Sequence, residues 1–157
     1  MPPRVPTVAE FINDNEPDVD DDVASDAVTA RSVGADGKAE KLYRSGKREI
    51  TYSNGTRKIV LPSGHVTLHF SNGDKKRTFP SGKSTYWYHE AETLHTQLAS
   101  GVQIFQFQKS QQTEKHFPDG SKEILYPDGI FKIMYPDGSE ETMYDNGTVR
   151  SAGGVTA

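Results

Sequence analysis

From residue 42 to residue 150 apolar and polar positions alternate in short runs, and most runs are closed by Gly: Gly46, Gly55, Gly64, Gly73, Gly82, Gly101, Gly120, Gly129, Gly138 and Gly147. The spacing is nine, broken by two gaps of 19, in which Ala91 and Ser110 stand as turns that lack Gly and carry one extra residue. Each of these glycines follows Ser, Asn or Asp, and three residues before it stands an aromatic residue or Leu, from Tyr43 to Tyr144. A period locked in phase to turn residues marks a repeat. Alternation between the turns, as in Arg48-Glu49-Ile50-Thr51-Tyr52 or Lys122-Glu123-Ile124-Leu125-Tyr126, marks strands. The pattern predicts twelve turns and thirteen strands in one antiparallel meander.

Turn chemistry leaves the register open. Asn54-Gly55, Asn72-Gly73 and Asn146-Gly147 favour tight turns with positive φ, whereas Phe117-Pro118-Asp119-Gly120 and its two successors suit a type I turn closed by a left-handed Gly. Two-residue loops would set Ile50 opposite Ile59 and Ile59 opposite Leu68; three-residue Pro-Asp-Gly loops would switch the aromatics from side to side. Under either register one face is mostly Thr, Lys, Glu and His. No second run of apolar strands remains to cover the other, and charged residues interrupt too many strands for a sandwich or barrel interior. The expected fold is all-β: a single-layer, free-standing, extended antiparallel β-meander of nine-residue hairpin repeats over residues 41–150, solvent-exposed on both faces, with a flexible tail at 151–157.

Composition sharpens this picture. Only 33% of the 157 residues are hydrophobic, and 7 Tyr, 7 Phe and 1 Trp supply much of that share. Aromatic rings cover a large area even when half buried. No stretch approaches the length of a membrane span and the first residues carry no secretory pattern, so no membrane partner and a cytoplasmic setting are expected. The charge is uneven. Residues 1–40 hold ten acids against Arg4, Arg31 and Lys38, a balance of −7, and the remainder is 15 − 12 = +3. A short acidic segment poor in apolar residues reads as a disordered arm or linker, from about Asn13 to Lys38. Near its start, Thr7-Val8-Ala9-Glu10 has capping-box spacing and Val8, Phe11 and Ile12 fall at helical intervals, which allows one amphipathic turn. The preceding Pro3-Arg4-Val5-Pro6 suits polyproline II, the form in which proline-rich ligands dock on aromatic grooves. It is a candidate for docking on the chain's own sheet.

Catalytic chemistry finds little support. Gly82-Lys83-Ser84-Thr85 resembles part of a phosphate loop, but Arg77 stands where the first Gly belongs and a strand follows. With 0 Cys, thiol catalysis and Cys-ligated zinc are excluded. His65 and His69 are too far apart along one strand to share a metal, and His89, His95 and His116 show no ligand spacing, so all read as solvated strand residues. No catalytic residue, metal or cofactor is expected. Lys47-Arg48, Arg57-Lys58 and Lys75-Lys76-Arg77 interleave with aromatics as on a nucleic-acid platform, but the modest positive balance argues against nucleic acid. Exposed strand edges invite end-to-end self-association. A passive spacer and a tubulin- or nucleic-acid-binding platform are the alternatives.

The repeat loosens between Gly82 and Gly120. Tyr86-Trp87-Tyr88 replaces the usual charged strand and Ile104-Phe105-Gln106-Phe107 is unusually apolar. Tyr86 and Tyr88 share a face with Trp87 on the other. Tyr86 and Phe107 are expected to bracket a shallow aromatic groove for a proline-rich peptide, with Trp87, Tyr88 and Phe105 as further candidates.

The run from Tyr43 to Arg150, above all Phe70-Ser71-Asn72-Gly73-Asp74, Tyr86-Trp87-Tyr88, His95-Thr96 and Glu114-Lys115-His116-Phe117-Pro118-Asp119-Gly120, resembles the G-box, or T-complex-protein C-terminal domain, family of the centriole-assembly scaffold centromere protein J and its invertebrate counterparts. The resemblance implies a free-standing antiparallel sheet that acts in centriole duplication. It implies binding of a Pro-Arg-containing, proline-rich segment of STIL, called anastral spindle 2 in flies, and residence at the centrosome. By motif, the family's ligand-contacting aromatics match Phe70, Tyr86 and Phe107, and its microcephaly-associated glutamate matches Glu114.

Overall fold

The computed structural model describes residues 4–153. These residues form one short helix, α1 (Val8–Ile12), and fourteen strands. The first seven are β1 (Val28–Val33), β2 (Ala39–Tyr43), β3 (Arg48–Thr51), β4 (Arg57–Val60), β5 (Val66–His69), β6 (Lys75–Thr78) and β7 (Ser84–Tyr88). The second seven are β8 (Thr93–Gln97), β9 (Gln103–Phe107), β10 (Gln112–His116), β11 (Lys122–Leu125), β12 (Phe131–Met134), β13 (Glu140–Met143) and β14 (Val149–Ala152). The thirteen strands that the glycine period predicts are β2 to β14. The fold is all-β, an open single-layer antiparallel meander with its strands in chain order, each paired with its sequence neighbours within its unit. It divides into two compact units, residues 16–90 and, among the described residues, 4–15 with 91–153.

Loops of three residues set the register, at Asn-Gly and Pro-Asp-Gly turns alike. At Gly55 the Tyr52 N–H donates to Thr56 O at 2.8 Å and the Gly55 N–H donates to Tyr52 O at 3.0 Å. The Thr56 N–H donates to the Asn54 side chain at 2.9 Å, and Gly55 has φ 89°. This is a type I turn closed by a left-handed residue, where Gly avoids a Cβ clash. In the two longer turns the left-handed position passes to Glu92 (φ 47°) and Gln111 (φ 59°), the residues after Ala91 and Ser110.

Three-residue loops in a nine-residue period make equivalent positions alternate between faces. Ile59 therefore faces Glu49 and Thr67, not Ile50 and Leu68. In the 16–90 unit one face carries the cross-strand row Glu49, Ile59, Thr67, Arg77 and Thr85; the other carries Ile50, Lys58, Leu68, Lys76 and Tyr86. In the other unit one face carries His95, Phe105, Glu114, Ile124 and Lys132, and the opposite face carries Gln106, Thr113, Leu125 and Phe131.

Residues ahead of β1 cover one face of each unit. Where composition suggested a disordered arm, Asp18 and Asp21 pair with Arg77 at 2.8 and 2.7 Å, and Val28–Val33 adds β1 to the sheet. Pairing with a distant basic face supplies what the local sequence cannot. Lys47, His65, Thr67 and Arg77 are buried on this side, and His65 packs edge-on against Phe79 at 5.1 Å rather than standing in solvent. In the second unit α1 forms as its capping box predicts. Thr7 Oγ1 accepts from the Glu10 N–H at 3.2 Å, and Glu10 Oε1 accepts from the Thr7 N–H at 3.1 Å. Five residues are too few for an isolated helix. Phe11, 4% exposed, fixes it by meeting Phe131 edge-on at 5.9 Å, while the Phe11 carbonyl accepts from Lys115 Nζ at 3.0 Å. Ile104, Thr113 and Leu125 are buried on the same side. Arg4 forms an ion pair with Glu10 instead of reaching the sheet as a ligand; Pro3 lies outside the described residues. At the other end Ser151 and Ala152 complete β14, and residues 154–157 lie outside the described residues.

Candidate functional site

With one face of each unit covered, the opposite face of each carries a cluster of aromatic rings in mutual contact. In the 16–90 unit, Tyr86 at the centre of β7 stacks on Phe70 (centroids 6.0 Å apart, interplanar angle 26°) and packs against Tyr88 at 4.4 Å. Tyr88 is 41% exposed. Trp87 faces the other way, opposite Lys75 in register, so the structure separates it from the patch.

Asp74 locks Tyr86 in place. The Tyr86 hydroxyl donates to Asp74 Oδ2 at 2.7 Å, and Oδ1 of the same carboxylate accepts the His89 N–H at 2.9 Å. The His89 N–H and then the Tyr86 hydroxyl hold the Asp74 carboxyl below its usual value. Bonding to that carboxylate, aided by desolvation, pushes the Tyr86 phenol up to about 12. The bonded proton is thus fixed, while the phenolic oxygen keeps lone pairs for an incoming donor. Gly73 closes the loop at φ 93°, and a Cβ there would come within 2.8 Å of the His89 ring. The close turn is what lets Asp74 reach His89 and Tyr86 together.

The second patch centres on Phe105. Its ring stacks on His95 at 4.4 Å with an interplanar angle of 3°, on Phe107 at 6.2 Å and 10°, and tilts against His116 at 4.8 Å. Register explains the cluster, since His95 and Glu114 are the cross-strand partners of Phe105. Glu114 is held from both sides: Gln112 Nε2 donates to Oε2 at 2.8 Å, and His116 Nε2 lies 3.0 Å from Oε1. His95 Nε2 lies 2.9 Å from Gln103 Oε1. The structure therefore groups Phe70, Tyr86 and Tyr88 in one patch and Phe105, Phe107 and Glu114 in another. Asp74, His95 and His116 join them as residues that sequence reasoning did not assign to the site. The missed signal is register. Once each loop is counted as three residues, Asp74 falls two positions before the partner of Tyr86, and His95 and Gln103 flank Phe105 and His116.

Each patch is flat, aromatic and edged by fixed carboxylate or imidazole. Such a surface has the chemistry to pack apolar rings and to pair a cation. Comparison with known proteins agrees with this picture. The family model of the T-complex protein 10 C-terminus matches residues 35–60 and 118–150. Human Centrosomal P4.1-associated protein is 39% identical over 115 residues, 73% of this chain.

The chain belongs to the T-complex protein 10 C-terminal family.

It spans about 8% of the length of that human relative. A solved TCP10 domain of Danio rerio CPAP, in complex with a peptide of Danio rerio STIL, is 43% identical. It superposes with a TM-score of 0.64 over 74% of this chain and 64% of that one. The Drosophila melanogaster SAS-4 TCP domain, in complex with a proline-rich motif of Ana2, is 27% identical with a TM-score of 0.61 over 78% of this chain and 93% of that one.

Proposed function

We propose that this family member is a non-enzymatic adaptor domain of a centriole-duplication scaffold, working at the centrosome and binding a proline-rich, Pro-Arg-containing segment of the STIL/Ana2 kind. The observation that carries the reading is the Tyr86 patch. Three rings share one face, the central hydroxyl is tied to Asp74, and the reverse face is occupied by the chain's own acidic residues. Ring faces held rigid before binding suit polyproline II, which is itself extended and loses little entropy on docking. Phe70, Tyr86 and Tyr88 would pack proline rings. Phe105 and Phe107 would do the same on the second patch, where Glu114 offers a carboxylate to the ligand's Arg. The relatives bound to STIL and Ana2 peptides support the choice of ligand. Trp87, on the reverse face, serves the fold in this reading. Edge strands β1 and β14 are largely exposed and offer a route to end-to-end self-association.

Calorimetric titration with a proline-rich peptide of the Ana2 type tests the proposal. Tyr86→Ala and Phe107→Ala should each weaken binding at least about tenfold, equivalent to about 1.4 kcal/mol, with far-UV circular dichroism unchanged. Unaltered affinity in both variants would dismiss these patches as the site, and no binding by the unsubstituted chain would leave a passive spacer as the better description.

A further inference from the structure

We propose a second binding surface on the 16–90 unit, on the face away from Tyr86, that accepts an extended acidic segment of a partner protein and that the chain's own residues 16–22 now occupy. Those seven residues contain five acids. They lie over a row of cations as a bound peptide would. The Arg77 guanidinium spends its donors on them: Nε to Asp18 at 2.9 Å, Nη1 to Asp21 at 2.7 Å and Nη2 to the Val19 carbonyl at 2.7 Å. Lys47 Nζ donates to the Asp21 carbonyl at 3.1 Å, and Ser81 Oγ donates to Glu16 at 2.6 Å. Side chain and main chain of the segment are read together, as in recognition of an extended peptide.

The occupant is held by polar contacts and stays partly open to solvent. Val19 is 43% exposed and the Asp18 side chain 54% exposed. An open cavity lined by Asp18, Asp21, Arg57, Ile59, Lys75 and Arg77 remains beneath it. His65 Nε2 is buried with no hydrogen-bond partner, 4.0 Å from Asp18 Oδ1. A carboxylate seated deeper than Asp18 would reach that nitrogen, so the tethered segment is an imperfect occupant. Tethering compensates by holding it at an effective concentration in the millimolar range. An acidic partner segment with a better-placed carboxylate would displace it.

The probe is a fluorescein-labelled peptide of residues 14–24, titrated into the full chain and followed by anisotropy. Asp18→Asn/Asp21→Asn loosens the covering segment and should tighten peptide binding at least tenfold over the unsubstituted chain. Adding Arg77→Ala should abolish the gain, whereas adding Tyr86→Ala should not. No gain in a variant whose circular dichroism is unchanged would overturn the proposal. So would preferential binding of a single-stranded DNA oligomer, or conversion of the variant to dimers that the peptide does not dissolve. Should the double variant unfold, the unsubstituted chain decides the matter: excess unlabelled peptide at several millimolar should speed amide exchange at Val19 and Asp20, and unchanged exchange would also overturn it.

Discussion

The two units solve one problem by different chemistry. A single layer of strands leaves two wet faces, and each unit covers one of them with residues from ahead of β1. The 16–90 unit uses carboxylates on Arg77 and Lys47; the other uses the Phe11 ring against Phe131, with Lys115 on the Phe11 carbonyl. Ion pairs on a half-exposed segment are worth little and are screened by salt. A buried ring is worth more and is indifferent to salt. In both units the face left bare is the one with stacked aromatics. One face of a single layer can thus be covered by more than one kind of chemistry.

The largest effect expected from this contrast is at Phe11. Phe11→Ala should cost about 3 kcal/mol, read as faster amide exchange across β10 to β12, equally at 0.1 and 1 M salt. Arg77→Ala should cost less, about 2 kcal/mol at low salt: Asp21, 14% exposed, loses its cation, but Asp18 is half exposed and regains water. That loss should shrink as salt rises and should appear across β4 to β6. Acid separates the covers further. Burial alone would raise Asp18, but the hydrogen bond from Arg77 and its charge outweigh burial and hold the carboxyl below 3.8. A lowered folded value means that Asp18 contributes stability in full above the unfolded carboxylate range, and that the contribution is lost as pH falls through the folded value. The acidic cover should therefore stay closed down to about pH 4 and loosen progressively below it. The α1 capping box is tied to Glu10, held down at about 2 by Arg4 and Thr7, and should outlast it. Equal salt and acid responses in the two units would erase the distinction.

A smaller effect separates the two aromatic patches. Ultraviolet titration should find one tyrosine ionising near 12, and Asp74→Asn should return it toward 10. No counterpart exists in the Phe105 patch, whose rings carry no hydroxyl. An unchanged tyrosine titration in Asp74→Asn would show that the carboxylate does not hold the Tyr86 ring.

How far the sequence reveals this arrangement depends on the range of the interaction. Strand number and turn position follow from glycines that recur every nine residues, because each turn is a local matter of φ. Loop length is not legible in the same way. Asn54-Gly55 suits two-residue turns yet closes a three-residue one, and that single residue decides which face Ile59 occupies. The acidic cover is hidden for another reason: Asp18 and Asp21 meet Arg77 across more than fifty positions, so composition shows charge without its partner and reads as disorder. Tyr86, Tyr88, Phe105 and Phe107 stand out because they break the repeat, whereas Phe70 keeps the repeat's aromatic position. Asp74, His95 and His116 do not stand out, since their roles come from cross-strand neighbours that only the register reveals.

The most direct test of peptide binding on the bare faces is chemical-shift mapping of the isotope-labelled chain with an Ana2-type proline-rich peptide. Shifts should concentrate at Phe70, Tyr86, Tyr88, Phe105, Phe107 and Glu114 while Ile59, Arg77 and Leu125 hold still. Shifts centred on Arg77 or Leu125, with Tyr86 and Phe107 unmoved, would contradict it.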